Sequence, residues 1–178
     1  MRIISGRLKG RIFNPPKNFR ARPTTDFAKE NLFNILNNRI DWDETTALDL
    51  FGGTGGISYE LLSRGCPRIV CVEKDVKHAE FIEKTKIELE AENFSVLKMD
   101  VFKYLEYYNQ KFDFIFADPP YDLKRFEEVP KQILAKDILN EEGLFILEHS
   151  NEYDFSSYPE FTELRTYGSV NFSFFEKK

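Results

Sequence analysis

The sequence predicts an α/β protein: a Rossmann-like, doubly wound seven-stranded sheet, mostly parallel and finished by a C-terminal antiparallel hairpin. A small N-terminal β-hairpin and helix precede it. Three observations lead there. From Thr45 onward, short apolar runs alternate with stretches of helical spacing, and alternating β and α units imply parallel strands covered on both faces. The apolar runs end on Gly, Asp or Glu, and in such sheets ligands gather at the carboxyl ends of the strands. Near the C-terminus, Phe161–Tyr167 and Val170–Phe175 flank Gly168-Ser169, a two-residue hairpin connection.

In chain order, the first thirteen residues hold Ile3-Ile4 and Ile12-Phe13 around Gly6 and Gly10, the pattern of a short hairpin with basic residues on its open face. Pro15-Pro16 and Pro23 mark a loop. Thr24-Thr25-Asp26 offers N-cap chemistry, and Ala28, Leu32, Ile35 and Leu36 recur at helical spacing, predicting a helix over Asp26–Asn37. Thr46–Phe51 reads as a strand ending in a glycine cluster, and Ile57–Arg64 as a helix closed by Gly65 and Pro67. Arg68–Val72 is a strand ended by Glu73, with a long helix over Val76–Glu90 behind it. A third strand, Phe94–Met99, ends at Asp100 and leads to a short aromatic helix. Phe112–Ala117 then runs into Asp118-Pro119-Pro120-Tyr121. Pro130 suits the first turn of a helix reaching Leu139, and a turn at Glu142-Gly143 leads to strand Leu144–Glu148. Right-handed crossovers make the parallel part doubly wound.

With 178 residues the chain is expected to form one domain, a basic extension over 1–25 leading a core over 26–178. That length buries roughly 70% of the unfolded surface, enough for a core without staples. The 42% hydrophobic and 15% aromatic content argues against disorder. No apolar run exceeds four residues, which speaks against a membrane-spanning helix or a secretory leader. Cys66 and Cys71 complete no disulfide framework and no zinc spacing, so the expectation is a reduced, cytoplasmic protein without a metal. The net charge of −5 hides an asymmetry: residues 1–25 carry seven basic side chains and no acid, leaving a net of −12 for the rest. An acidic body with a basic leading edge fits a catalytic core that grips a polyanion through Arg2, Arg7, Lys9, Arg11, Arg20 and Arg22. It also fits a solvated basic terminus.

Four strand ends carry the chemistry. Asp49-Leu50-Phe51-Gly52-Gly53-Thr54-Gly55-Gly56 lets the backbone turn tightly and approach a ligand closely. No Gly-Lys-Ser/Thr follows, so the loop is not a phosphate cradle of the Walker type. Asp49 ahead of it points to a cationic ligand end rather than a pyrophosphate. Glu73, 24 residues after Asp49, stands where an acid accepts hydrogen bonds from ribose hydroxyls. Asp100 either accepts from an adenine amino group, beside the Val101 backbone, or caps the helix behind it. Asp118-Pro119-Pro120-Tyr121 is the most specific. Two prolines fix two φ angles and remove two donors, so an Asp118 oxygen and a proline carbonyl form a two-acceptor clamp for an aromatic amine, with Tyr121 as a stacking face. Such an amine is a weak nucleophile, because its lone pair is delocalised into the ring. Holding its protons favours the pyramidal geometry from which it attacks.

These motifs resemble those of class I S-adenosylmethionine-dependent methyltransferases that modify exocyclic amines. Arg2-Ile3-Ile4-Ser5-Gly6, Gly10-Arg11, Arg22-Pro23-Thr24-Thr25-Asp26 and Glu30–Leu36 further resemble the leading signature of the RsmD-type 16S rRNA (guanine-N2)-methyltransferase family. The resemblance covers essentially the whole chain. It implies S-adenosylmethionine as donor and one guanine N2 of 16S rRNA, in an assembling small subunit, as acceptor. It also implies that Asp118 and the Pro119 carbonyl hold the amine while Tyr121 stacks on the base. Glu73 would take the cofactor ribose, Asp100 and Val101 the adenine, and Asp49 and the loop Phe51, Gly52, Gly53 and Gly55 the methionine end. The sequence departs from the family at Ser5, at Phe27-Ala28-Lys29 where a more basic stretch is usual, and in the Gly-Gly-Thr-Gly-Gly loop. The alternatives are a DNA adenine-N6 or cytosine-N4 methyltransferase, for which no target-recognition insertion exists, and a non-catalytic nucleic-acid-binding module. His78 and His149 complete no triad or metal set and read as ordinary.

Overall fold

A computed structural model describes residues 1–16, 19 and 25–177; the expectations placed on Lys17, Arg20, Arg22, Pro23 and Thr24 lie outside the described residues. Among the described residues, seven strands form one sheet: β1 (Thr46–Leu50), β2 (Arg68–Glu73), β3 (Phe94–Lys98), β4 (Phe112–Ala117), β5 (Leu139–His149), β6 (Phe161–Tyr167) and β7 (Val170–Glu176). Their spatial order is β3-β2-β1-β4-β5-β7-β6. The first five run parallel and β7 pairs antiparallel with both β5 and β6. The chain reverses its direction of winding between β1 and β4, so a crevice opens at their carboxyl ends.

Among the described residues, five α-helices cover the sheet: α1 (Asp26–Leu36), α2 (Gly56–Arg64), α3 (Val76–Glu88), α4 (Val101–Tyr107) and α5 (Glu128–Ala135). Strand alternation divides the core into two faces. Ala47, Phe114, Phe116, Ile146 and Phe172 pack beneath α1, α2 and α3 with Leu32, Phe33, Leu61 and Ile82. Leu48, Ile115, Phe145 and Leu147 pack beneath α4 and α5 with Tyr104, Leu105, Val129 and Ile133. Truncating one of the fully buried phenylalanines to Ala costs about 3–5 kcal/mol, transfer and cavity together.

Local chemistry explains the element ends. The Thr25 hydroxyl accepts from the Ala28 N–H and starts α1, the Asp75 carboxylate starts α3, and Gly65 at φ 105° closes α2. β1 stops one residue early because Phe51 turns out at φ 64°. The long helix stops at Glu88, followed by Glu90 at φ 52°.

Three further expectations need correction. The fifth helix ends at Ala135 and not near Leu139; Asp137 takes φ 56°, and the Phe112 N–H already bonds the Ile138 carbonyl, so the sheet claims those residues. The Glu142-Gly143 turn does not precede β5 but bulges within it, because Phe112 pairs with Leu139 and Phe114 with Leu144. Pro130 is the third residue of α5, still in the first turn where a helix N–H has no intrahelical partner. At the N-terminus the expected hairpin is a single bridge, Arg2 to Ile12.

Candidate active site

The crevice holds a cavity of about 600 Å³ at the carboxyl ends of β1, β2, β4 and β5. Alternation brings acids to it from neighbouring strands. Ala47 lies in the core of the α1–α3 face, and two residues on Asp49 follows; Cys71 is succeeded in the same way by Glu73, Phe116 by Asp118, and Ile146 by Glu148. All four carboxylates line the cavity. Among the described residues, the lysines and arginines in its wall are Lys29 and Lys74. The cavity is therefore acidic.

The glycine loop is tied to Glu73. Its Oε2 accepts the Gly53 N–H at 2.7 Å and its Oε1 the Asp75 N–H at 2.7 Å, which fixes the loop against the end of β2. At Gly52 a Cβ would fall 2.2 Å from the Cys71 Sγ, so only glycine permits this approach. Asp49 is buried and accepts from the Ser58 N–H at 3.1 Å and the Ser58 hydroxyl at 2.6 Å. Burial outweighs those bonds and pushes its carboxyl up to about 7, with the Glu73 charge acting in the same direction.

Asp118 follows β4 directly, its N–H bonded to the Leu50 carbonyl at 3.3 Å. Burial, then the charges of Glu148 and Asp49, hold its carboxyl well above the usual carboxylate range. Pro119 is buried and Pro120 exposed. The Pro120 carbonyl accepts from the Leu123 N–H at 2.9 Å, which closes the turn, and Tyr121 stands at the rim, 47% exposed.

The structure brings Asp49, Phe51, Gly52, Gly53, Glu73, Val101, Asp118, Pro119 and Tyr121 together around this one cavity. Two of the predicted cofactor-binding residues stand apart from its wall. The Asp100 carboxylate caps α4 through the Phe102 and Lys103 N–H groups, and Gly55, at φ 83°, caps α2. Sequence reasoning gave no role to Glu148, Lys29, Lys74, Asp75 or His78, all of which line the cavity. Alternation from Ile146 was the available signal for Glu148. His78 owes its place to packing, with Phe19 4.4 Å from its ring. His149 is buried outside the wall, its ring nitrogens against the Ser150 carbonyl and the Ser173 hydroxyl.

The basic leading segment docks on α2. Glu60, fully buried, accepts the Ile4 and Ser5 N–H groups at 3.0 and 3.1 Å and pairs with Arg64 at 2.8 Å and Lys29 at 3.6 Å. The Lys29 ammonium donates to the Arg2 carbonyl at 2.7 Å. Burial pulls its pKa down despite the acids beside it. Met1 thereby reaches the cavity wall beside Thr54, and Arg2, Arg7, Lys9 and Arg11 stay exposed.

Known proteins resemble this chain along its length. The family described as "Conserved hypothetical protein 95" matches residues 1–176. The Bacillus subtilis protein YlbH is 31% identical over 188 residues, covering both chains in full. Ribosomal RNA small subunit methyltransferase D of Escherichia coli K12 is 30% identical over 159 residues, 89% of this chain and 79% of that one. Among solved structures, the Escherichia coli protein yhhF superposes with a TM-score of 0.87 at 26% identity, covering 100% of this chain and 98% of its own.

Proposed function

Because the chain belongs to the RsmD-type methyltransferase family, described as conserved hypothetical protein 95, we propose that it transfers a methyl group from S-adenosylmethionine to the exocyclic N2 amine of one guanine in 16S rRNA. The acceptor on this reading is the RNA of an assembling small subunit. The observation that carries the proposal is that the glycine loop with Glu73 and the Asp118–Tyr121 turn line the same cavity. A donor site and an amine-holding site must share one space for a methyl group to pass between them.

The residues present fit the donor. A cavity of about 600 Å³ falls in the size range of cofactor sites, and the carboxylates at its strand ends suit a cationic ligand better than a pyrophosphate. Each Glu73 oxygen accepts one backbone N–H and has lone pairs left for the ribose hydroxyls. Phe51, Gly52 and Gly53 would hold the methionine end beside Asp49, and Val101 the adenine. Asp100 and Gly55 would act through the ends of α4 and α2. When bound, the donor supplies an electrophilic methyl group. Asp118 and the Pro119 carbonyl accept the two amine protons, which turns the nitrogen lone pair out of the ring plane, and Asp118 takes up the proton the amine loses. Tyr121 stacks on the base, which must leave its own stack to reach the strand ends. Orientation of this kind supplies roughly 7–11 kcal/mol of a barrier. Arg2, Arg7, Lys9 and Arg11, with Arg20 and Arg22 of the same segment, contact phosphates. Such contacts give affinity without reading sequence, and RNA shape supplies the choice of site.

The test offers methyl-labelled S-adenosylmethionine with small subunits from cells lacking the enzyme, naked 16S rRNA, and DNA, followed by nucleoside analysis. N2-methylguanosine from RNA or particle is expected. N6-methyladenine or N4-methylcytosine in DNA would replace this reading, and no transfer to any acceptor would remove it. Asp118→Ala should abolish transfer while S-adenosylmethionine still binds by calorimetry; simultaneous loss of binding would show that Asp118 belongs to the donor site.

A further inference from the structure

Ala117 of β4 pairs with Leu147 of β5, so the next residues on these parallel strands, Asp118 and Glu148, stand side by side. Alternation from Phe116 and Ile146 turns both toward the same face, and both line the cavity. Glu148 is 3% exposed. Two neighbouring carboxylates in one cavity wall repel one another, and a ligand donor hydrogen-bonded to each offsets that repulsion. A ligand that presents two adjacent donors relieves both.

Nucleobases with an exocyclic amine differ on this point. Guanine carries a ring N1–H next to its N2 amine, two donors in a row. Adenine and cytosine carry a ring-nitrogen lone pair next to the amine, which a second carboxylate repels. Resting on the reading of Asp118 as the holder of the methylated amine, we propose that Glu148 selects guanine: its carboxylate accepts the N1–H while Asp118 accepts the N2 amine. A carboxylate accepts up to about four hydrogen bonds, so this contact is compatible with the others Glu148 makes. The same arrangement rejects adenine and cytosine by an unfavourable contact rather than by a smaller pocket, the more discriminating way to exclude a competitor.

The experiment follows mapping of the methylated guanine. Small subunits are reconstituted with guanine or 2-aminopurine at that position; 2-aminopurine keeps the N2 amine but has a bare N1 and lacks O6. The wild-type enzyme should favour guanine by about tenfold or more in kcat/KM. In Glu148→Gln, whose amide N–H can donate to a bare N1, that preference should shrink by about tenfold. The missing O6 affects both enzymes alike and cancels from the comparison. A merely structural role for Glu148 would lower both rates together, so an unchanged preference overturns the proposal. Equal wild-type rates on the two acceptors overturn it without any variant, which covers a Glu148→Gln protein that fails to fold. Absence of N2-methylguanine from the wild-type reaction would overturn the methyl-acceptor reading and this one with it. Its presence with a preference indifferent to residue 148 overturns the Glu148 assignment alone.

Discussion

On the proposed mechanism Asp118 takes up the proton the amine loses, which it can do only while ionised, yet burial and the charges of Glu148 and Asp49 favour its protonated form. The rate should therefore fall as pH drops, along a limb whose midpoint lies well above the ordinary carboxylate range. Glu148→Gln removes one of the opposing charges and should move that limb to lower pH, read from the pH profile of kcat/KM. A limb that stays in place would assign the shift to burial and Asp49. Asp49 itself links the site to stability. Its carboxyl is raised from 3.8 to about 7, so between these values the folded chain holds a proton that the unfolded chain has lost. Its contribution to stability is therefore present at low pH and is lost as pH rises through about 7. Asp49→Asn keeps an acceptor for Ser58 and should flatten that decline, measured as the denaturant midpoint against pH. The places of Asp118 and Glu73 at the cavity could be read from the sequence because each ends an apolar run. Glu148 ends one as well, but nothing in its own neighbourhood marks the adjacent Asp118.

Among the elements, α2 and the leading segment depend on each other. Glu60→Ala would leave the buried Lys29 and Arg64 charges without their shared partner and free the Ile4 and Ser5 N–H groups. Breaking a buried ion pair in this way costs about 3–5 kcal/mol, and urea unfolding should register it. Gly6→Ala is the more selective test. A Cβ there would lie 1.9 Å from the Ser63 carbonyl oxygen at a φ of 80°, so the leading segment must lift off α2. Limited proteolysis should then cut within residues 1–16 while the core survives; an unaltered pattern would show that the segment is held elsewhere. The periodicity of α2 marked a helix but not its polar face, where Glu60 and Ser63 are buried under the chain's own N-terminus. Helical spacing also overran α5, because Ile138 and Leu139 suit a strand edge as well as a helix face.

For the molecule as a whole, charge is unevenly distributed: the cavity wall is acidic, and Arg2, Arg7, Lys9 and Arg11 of the leading segment are exposed. If these residues neutralise phosphates, the affinity for 16S rRNA must fall steeply with salt. An Arg7→Ala/Lys9→Ala variant should reduce the slope of log affinity against log salt concentration by about 0.7–0.9 per lost contact. Cofactor affinity should not change. An unchanged slope would place the RNA on another face.

The succession of strands and helices, the doubly wound plan and the C-terminal hairpin follow from local patterning, because period-two and helical spacing, turn residues and crossover handedness are properties of short stretches of chain. The glycine loop, Glu73 and Asp118–Tyr121 were readable for the same reason: each motif is contiguous, and the winding of the sheet sends all of them to one end. Other features depended on residues far apart in sequence. The pairing of Ala117 with Leu147 set Asp118 beside Glu148. The meeting of the first residues with α2 buried Glu60 and carried Met1 to the cavity wall. The capping of α4 by Asp100 turned its carboxylate toward backbone N–H groups. Burial, like-charge proximity and competition for hydrogen bonds exist only once those distant residues are packed together.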